Sequence, residues 1–134
     1  MNIKKKITQL LIFIILISAS YFIFHTKTIC DDVDGVMQKG ILYLKGSTKP
    51  YTGKSLCIWD TANVTWYKGR YQDGLKEGLW IFYNKNSTKK SETNYSAGKM
   101  NGLRKVYNSQ NQIAYTLNCI NNKCERVNPD IDYK

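Results

Sequence analysis

Hydrophobic positions along the chain fall into two regimes. From Ile7 to Phe24 the sequence ITQLLIFIILISASYFIF carries no charge and offers no polar face. After residue 30 no stretch sustains the 3.6-residue period of an amphipathic helix, and short runs alternate instead. Leu79, Ile81 and Tyr83 share one face of a strand, with Trp80 and Phe82 on the other. Leu103 and Tyr107 share a face while Arg104 points away, and Ile113, Tyr115, Leu117 and Cys119 fall together. The pattern predicts one N-terminal hydrophobic helix followed by an all-β domain.

A repeat organises the β region. Trp59, Tyr71, Tyr83, Tyr95 and Tyr107 stand 12 residues apart, and the next position on that beat is Cys119. Gly74 and Gly98 stand 24 apart, as do Gly78 and Gly102. Residues Tyr71–Asn84 lie over Tyr95–Asn108 without a gap, and aligning Gly53 with Gly78 needs one extra residue. Each step predicts a strand of about five to seven residues and a turn, giving an antiparallel meander. Asp73-Gly74 and Ala97-Gly98 are turn pairs, and Asn122 takes the glycine's place in the last unit. The turns at 60–63, 84–87 and 108–111 each begin with Asp or Asn, whose side chain closes an Asx turn. One aromatic per strand predicts rings at one height, forming a ladder across the sheet.

Tyr71…Gly74-Leu-Lys-Glu-Gly78-Leu79-Trp80…Tyr83-Asn84 resembles the bacterial MORN-variant repeat, an aromatic, a turn, Gly-x-x-x-Gly, Leu-Trp and an aromatic before Asn. Lys49–Lys54 resembles the opening unit of such proteins. The likeness covers about residues 41–127 and departs from the pattern where Arg126 replaces the second glycine. It implies an elongated array of MORN-type β-hairpin repeats, with atypical end units as caps. Many such proteins carry the label of YwqK-type antitoxins of toxin–antitoxin systems. The resemblance implies no enzyme and no cofactor.

The N-terminus divides into a basic tail, 1–6, and the apolar run, 7–24. Eighteen helical residues span about 27 Å, close to the ~30 Å of a bilayer core. A signal anchor fits this run, and so does a signal peptide cleaved at Ser18-Ala19-Ser20. A lipoprotein at Cys30 fits less well, since Lys27-Thr28-Ile29 lacks the small residues of a lipobox. Lys4, Lys5 and Lys6 stay inside, so the rest lies outside the cytoplasm. The expected organisation is a linker over 25–40, the repeat domain over 41–127 and a tail over 128–134. The expected location is the bacterial inner membrane, single-pass with the domain periplasmic, or secretion after cleavage.

The chain holds 20 basic and 10 acidic residues. Setting aside Lys4, Lys5, Lys6 and Lys27 leaves the exported part at about +6. These charges are scattered, with no cluster beyond Lys89-Lys90, so nucleic-acid binding is not predicted. Cys30, Cys57, Cys119 and Cys124 allow three pairings outside the cytoplasm. Cys119 and Cys124 flank a predicted turn and can staple one hairpin, which leaves Cys30 with Cys57; free thiols stay open. The spacing fits no zinc site. No Ser/His/Asp set exists, His25 lies beside the apolar run, and Asp73, Glu77 and Glu92 read as solvated turn or strand residues, so no catalytic residue is assigned.

Trp66, Trp80 and Phe82, with Arg70 and Arg104, form the candidate contact surface. A single sheet leaves one aromatic face open to a partner, unless residues 31–55 fold back over it with Tyr51 and Ile41–Leu44 as cover. The expected function is binding of a protein partner, foremost a cognate toxin neutralised by an antitoxin or immunity protein. The alternative is an envelope scaffold that binds lipid or wall polymer. Open sheet edges also allow an edge-to-edge dimer.

Overall fold

The computed structural model describes residues 3–24 and 27–127, with the side chains of 5–17 in the first segment. Helix α1 runs Ile3–Phe24. After it come strand β1 (Thr28–Ile29), a single helical turn α2 (Asp31–Asp34), β2 (Gly35–Gln38) and β3 (Ile41–Leu44). Seven further strands follow: β4 (Gly53–Trp59), β5 (Val64–Gln72), β6 (Leu75–Tyr83), β7 (Lys89–Ser96), β8 (Lys99–Tyr107), β9 (Ile113–Ile120) and β10 (Lys123–Arg126). The protein is therefore mostly β, with one long helix at its start.

Among the described residues no helix is long and apolar enough to cross a membrane. The described side chains of α1 end at Ile17, whereas the uncharged run continues to Phe24. The side chains of Ser18-Ala19-Ser20, with His25 and the tail 128–134, lie outside the described residues. The segment expected as a linker, 25–40, instead carries β1, α2 and β2. Its turn signal is Lys39-Gly40, both at positive φ between β2 and β3.

Strands β4 to β10 form one antiparallel meander in chain order, and β1 adds in parallel to the free edge of β4. The central strands are longer than expected, eight or nine residues each. At one end of the array the hairpins close through two residues at positive φ: Asp73-Gly74, Ala97-Gly98 and Asn121-Asn122. These turns also tie each unit to the one before it. The Gly74 N–H donates to Tyr51 O at 2.7 Å, Gly98 N–H to Lys76 O at 2.9 Å and Asn122 N–H to Met100 O at 3.0 Å. The donors are 24 residues apart while the first two acceptors are 25 apart, which locates the extra residue of the first unit.

At the other end the expected Asx turn forms at Asn108, whose side-chain oxygen accepts from the N–H groups of Gln110 and Gln112. In the turn after β6 it is Asn86, not Asn84, that accepts from the Thr88 N–H. Gly78 and Gly102 lie inside β6 and β8 at positive φ, where the ladders skip residues. They mark bulges rather than turns.

The tyrosines do not form one ladder. Tyr71 and Tyr95 end β5 and β7 beside the two-residue turns, while Tyr83 and Tyr107 end β6 and β8 at the opposite edge. A 12-residue step in an antiparallel meander reverses direction, so the beat alternates between the two ends of the sheet.

The core lies on the face that carries Trp80. Ile29, Leu42, Tyr51, Cys57, Tyr67 and Tyr71 are buried around it, and Trp80 itself has no exposed surface. Its indole seats on Gly69, where an added Cβ would fall 2.2 Å from the ring. Both disulfides form with the expected partners, Cys30–Cys57 at 4.7 Å between Cα atoms and Cys119–Cys124 at 4.0 Å. The first closes a separation of 27 residues, worth about 3.5 kcal/mol on the chain-entropy account.

We expect Gly69→Ala to cost about 1–3 kcal/mol, the range for overpacking a filled core. Urea unfolding of the oxidised protein measures it. An unchanged midpoint would mean that Trp80 does not rest on that backbone.

Candidate functional site

The aromatic face is covered over half its extent. The cover is the segment from β1 to β4, held down by one carboxylate. Asp31 opens α2, accepts the Ser55 hydroxyl on one oxygen and the Tyr71 hydroxyl at 2.8 Å on the other. Tyr51 donates to the carbonyl of Lys27, with the Lys54 carbonyl 2.9 Å away. Backbone bonds complete the seam: Leu42 N–H to Gly74 O at 2.9 Å and Tyr51 N–H to Leu42 O at 2.8 Å. Burial, and then the Asp31 charge, push the phenols of Tyr67 and Tyr71 well above their usual range. Tyr51 and Tyr95 are also raised, mainly by burial.

The other half of that face is open. A bulge at Cys57/Ile58 leaves Trp66 unopposed, so Trp66 and Tyr67 both join the aromatic side, 4.9 Å apart. Trp59 stacks on Trp66 at 4.7 Å. Together with Phe82 and Tyr95 they wall a cleft of about 460 Å³. Its charged residues are Lys85, Lys90 and Arg104, and no carboxylate lines it. Lys85 Nζ stands 5.2 Å from the centre of the Trp59 ring. Lys76 Nζ stands 4.3 Å from the Trp80 ring, and burial pushes its pKa down despite the Asp31 charge. Trp59 Nε1 and Arg104 Nε are buried without a hydrogen-bond partner.

The opposite face of the sheet is uncovered. Leu56, Ile58, Leu79, Leu103 and Ile120 are each 41–62% exposed there. A groove of about 440 Å³ runs between Lys54, Leu56, Lys68, Arg70, Leu79 and Ile81, and Thr28 of β1 borders it.

The five residues expected to meet a partner therefore do not form one patch. Trp66, Phe82 and Arg104 line the cleft. Arg70 lies in the groove on the other face. Trp80 is corrected from surface to core: it is fully buried and its indole N–H donates to Arg70 O at 3.2 Å. The cover by 31–55 accounts for this. Trp59, expected as a repeat position, also belongs to the cleft, as do Lys85 of the turn after β6 and Lys90 of β7. Among the described residues no group of three His, Cys, Asp or Glu is placed to hold a metal. The residues present offer apolar walls and cations, suited to holding an anionic or aromatic group.

Comparison with protein families, curated proteins and solved structures finds no match to this chain.

The tyrosine cluster sets a limit in alkali. Below pH 10.0, the ordinary phenol value, these groups are protonated in both folded and unfolded chains. Above it the unfolded chain releases protons that native Tyr51, Tyr67, Tyr71 and Tyr95 retain, so stability falls as pH rises. Lys76, shifted the opposite way, offsets this with one group against four. The share of the phenolate absorbance that belongs to these four tyrosines should therefore appear together with loss of β-sheet circular dichroism above pH 10. Ionisation of all ten tyrosines before unfolding would refute the cluster.

Proposed function

We propose that this chain is a membrane-anchored, exported module of the MORN-variant kind that acts by holding a protein partner. The observation that carries the reading is the open half of the aromatic face, a concave cleft with stacked tryptophans and unpaired cations. Buried aromatic and arginine side chains in a pocket are what protein interfaces use as energetic anchors. The repeat likeness makes neutralisation of a cognate toxin the leading role, as an antitoxin or immunity protein acting by stoichiometric binding.

Two features support the anchored, exported setting. In α1 Ile7, Leu10, Leu11, Ile12 and Phe13 are all more than half exposed, an apolar surface on every side that water disfavours. Two disulfides suit an oxidising compartment such as the periplasm.

The second sheet face favours one further reading, an envelope scaffold on anionic lipid. Exposed aliphatics there alternate with Lys54, Lys68 and Arg70 beside the point where the chain arrives from α1. Such binding depends on charge and fails at high salt.

The test is a pull-down of the tagged full-length protein from native membranes, with mass spectrometry of what is retained. We expect one stoichiometric protein, held through a wash at about 1 M salt, where the Debye length is ~3 Å. Trp66→Ala should reduce its recovery about tenfold or more, and the exposed Lys99→Ala should not. Recovery of anionic lipid alone, released by salt, would replace the partner reading with the scaffold. Unchanged recovery with Trp66→Ala would remove the cleft from the interface.

A further inference from the structure

Between the two central units the tryptophan of the motif is replaced, and the residue that replaces it is in the cleft. Trp80 and Arg104 are 24 residues apart and equivalent in the two central units. Trp80 rests on Gly69, while Arg104 pairs across the sheet with the buried Thr93. The second unit thus sets a guanidinium, with five donors and a permanent charge, where the first sets an indole.

That guanidinium is poorly served by the protein. Its Nη1 lies 3.4 Å from the thioether sulfur of Met100, a weak acceptor, and its Nε has no partner. The indole N–H of Trp59, which lines the same cleft, has none either. Native proteins pair nearly all their buried donors, so two orphans in one cleft mark acceptors that come from outside. Lys85 and Lys90 add positive charge and no acidic residue lines the cleft, so the missing acceptor is anionic. The fork of Arg104, its Nε–H without a partner, fits the two oxygens of one planar carboxylate.

We propose that the cleft reads a carboxylate: an acidic side chain from an extended segment of the partner protein enters between the aromatic walls and takes N–H groups of Arg104 on its two oxygens. This rests on the protein-partner reading and names the chemistry that the partner presents. The Arg104 Nε–H is shielded from solvent in this conformation. Engagement therefore turns the guanidinium away from Met100, exchanging a thioether acceptor for an anionic one. The aromatic walls exclude water from the new bonds and so strengthen them.

The experiment uses the full-length, 15N-labelled protein in zwitterionic micelles, titrated with the blocked peptide Gly-Ser-Glu-Phe-Glu-Ser-Gly. The control peptide carries Gln in place of both Glu. We expect saturable downfield shifts of the Arg104 Nε–H and Nη–H resonances with the Glu peptide and none with the Gln peptide. Arg104→Gln should weaken binding about tenfold or more, with an unchanged circular dichroism spectrum as the folding control. Arg104→Lys should recover only part of the affinity, because a point charge lacks the fork. Static resonances, an equal response to the Gln peptide, or full affinity in Arg104→Gln or Arg104→Lys would overturn the proposal. So would tighter saturation of the same resonances by an oligogalacturonate, which would assign the cleft to an acidic polysaccharide. Peptide binding with no protein recovered from membranes would keep the carboxylate site and sink the partner role. A recovered partner indifferent to Arg104→Gln would do the reverse.

Discussion

The indole of Trp80 lies on the backbone of Gly69, and the rest of the domain is arranged around that contact. The only other sheet among the described residues, β2 with β3, has two short strands and cannot bury the whole face of the meander. The meander compensates with one large side chain placed where the neighbouring strand has none. An added Cβ at Gly69 would sit 2.2 Å from the ring, so the two positions are mutually dependent. With the indole lowered onto the sheet, Tyr67, Tyr71, Phe82 and Tyr95 reach it at ring distances of 5.1 to 6.3 Å. Edge-to-face and offset contacts at such distances add to the area that burial already removes from water.

One tryptophan cannot close the face alone, and the N-terminal segment supplies the remainder. The chain returns along β4 as β1, crosses through α2 and lays the β2–β3 hairpin on the first unit. Asp31 is the pin: a carboxylate shared between Ser55 and Tyr71, beside a disulfide that fixes Cys30 to Cys57. Withdrawing a charge partly from water is unfavourable unless hydrogen bonds serve it, and here hydroxyls on two strands do so. The segment is short, so it reaches the first unit and stops. What lies beyond its reach, the stack of Trp59 on Trp66 with Phe82 and Arg104, stays open as a consequence of length.

The repeat made the meander legible. Turn pairs at Asp73-Gly74 and Ala97-Gly98, asparagine in glycine's role at residue 122, the odd residue of the first unit and both cysteine pairs all follow from spacing and turn chemistry. The choice of core face did not. Alternation shows that Leu79 and Trp80 oppose each other; it does not show which of them is inside, because both faces carry large apolar residues. That depends on Gly69, a residue outside the glycine period, and on Asp31, an acidic residue in a stretch that reads as a linker. The heights of the tyrosines are not legible from the beat alone, since successive strands reverse. Trp66 is legible by residue type, although its orientation comes from a bulge that no local residue announces.

A repeated scaffold also gives a simple route to a site. Equivalent positions in successive units share backbone geometry, so one substitution places new chemistry into a frame that already exists. At residue 80 the frame holds an indole over glycine and makes core. At residue 104 it holds a guanidinium opposite threonine, and the same frame makes a cation at the floor of an aromatic cleft. The cover decides which outcome is tolerable. Under the N-terminal segment an unpaired guanidinium would be strongly destabilising, because its lost hydration could not be replaced. One unit further along the face is open, the rest of the side chain keeps some contact with water, and an incompletely paired arginine survives. The division between core and candidate site in this domain is therefore set by where the N-terminal segment ends.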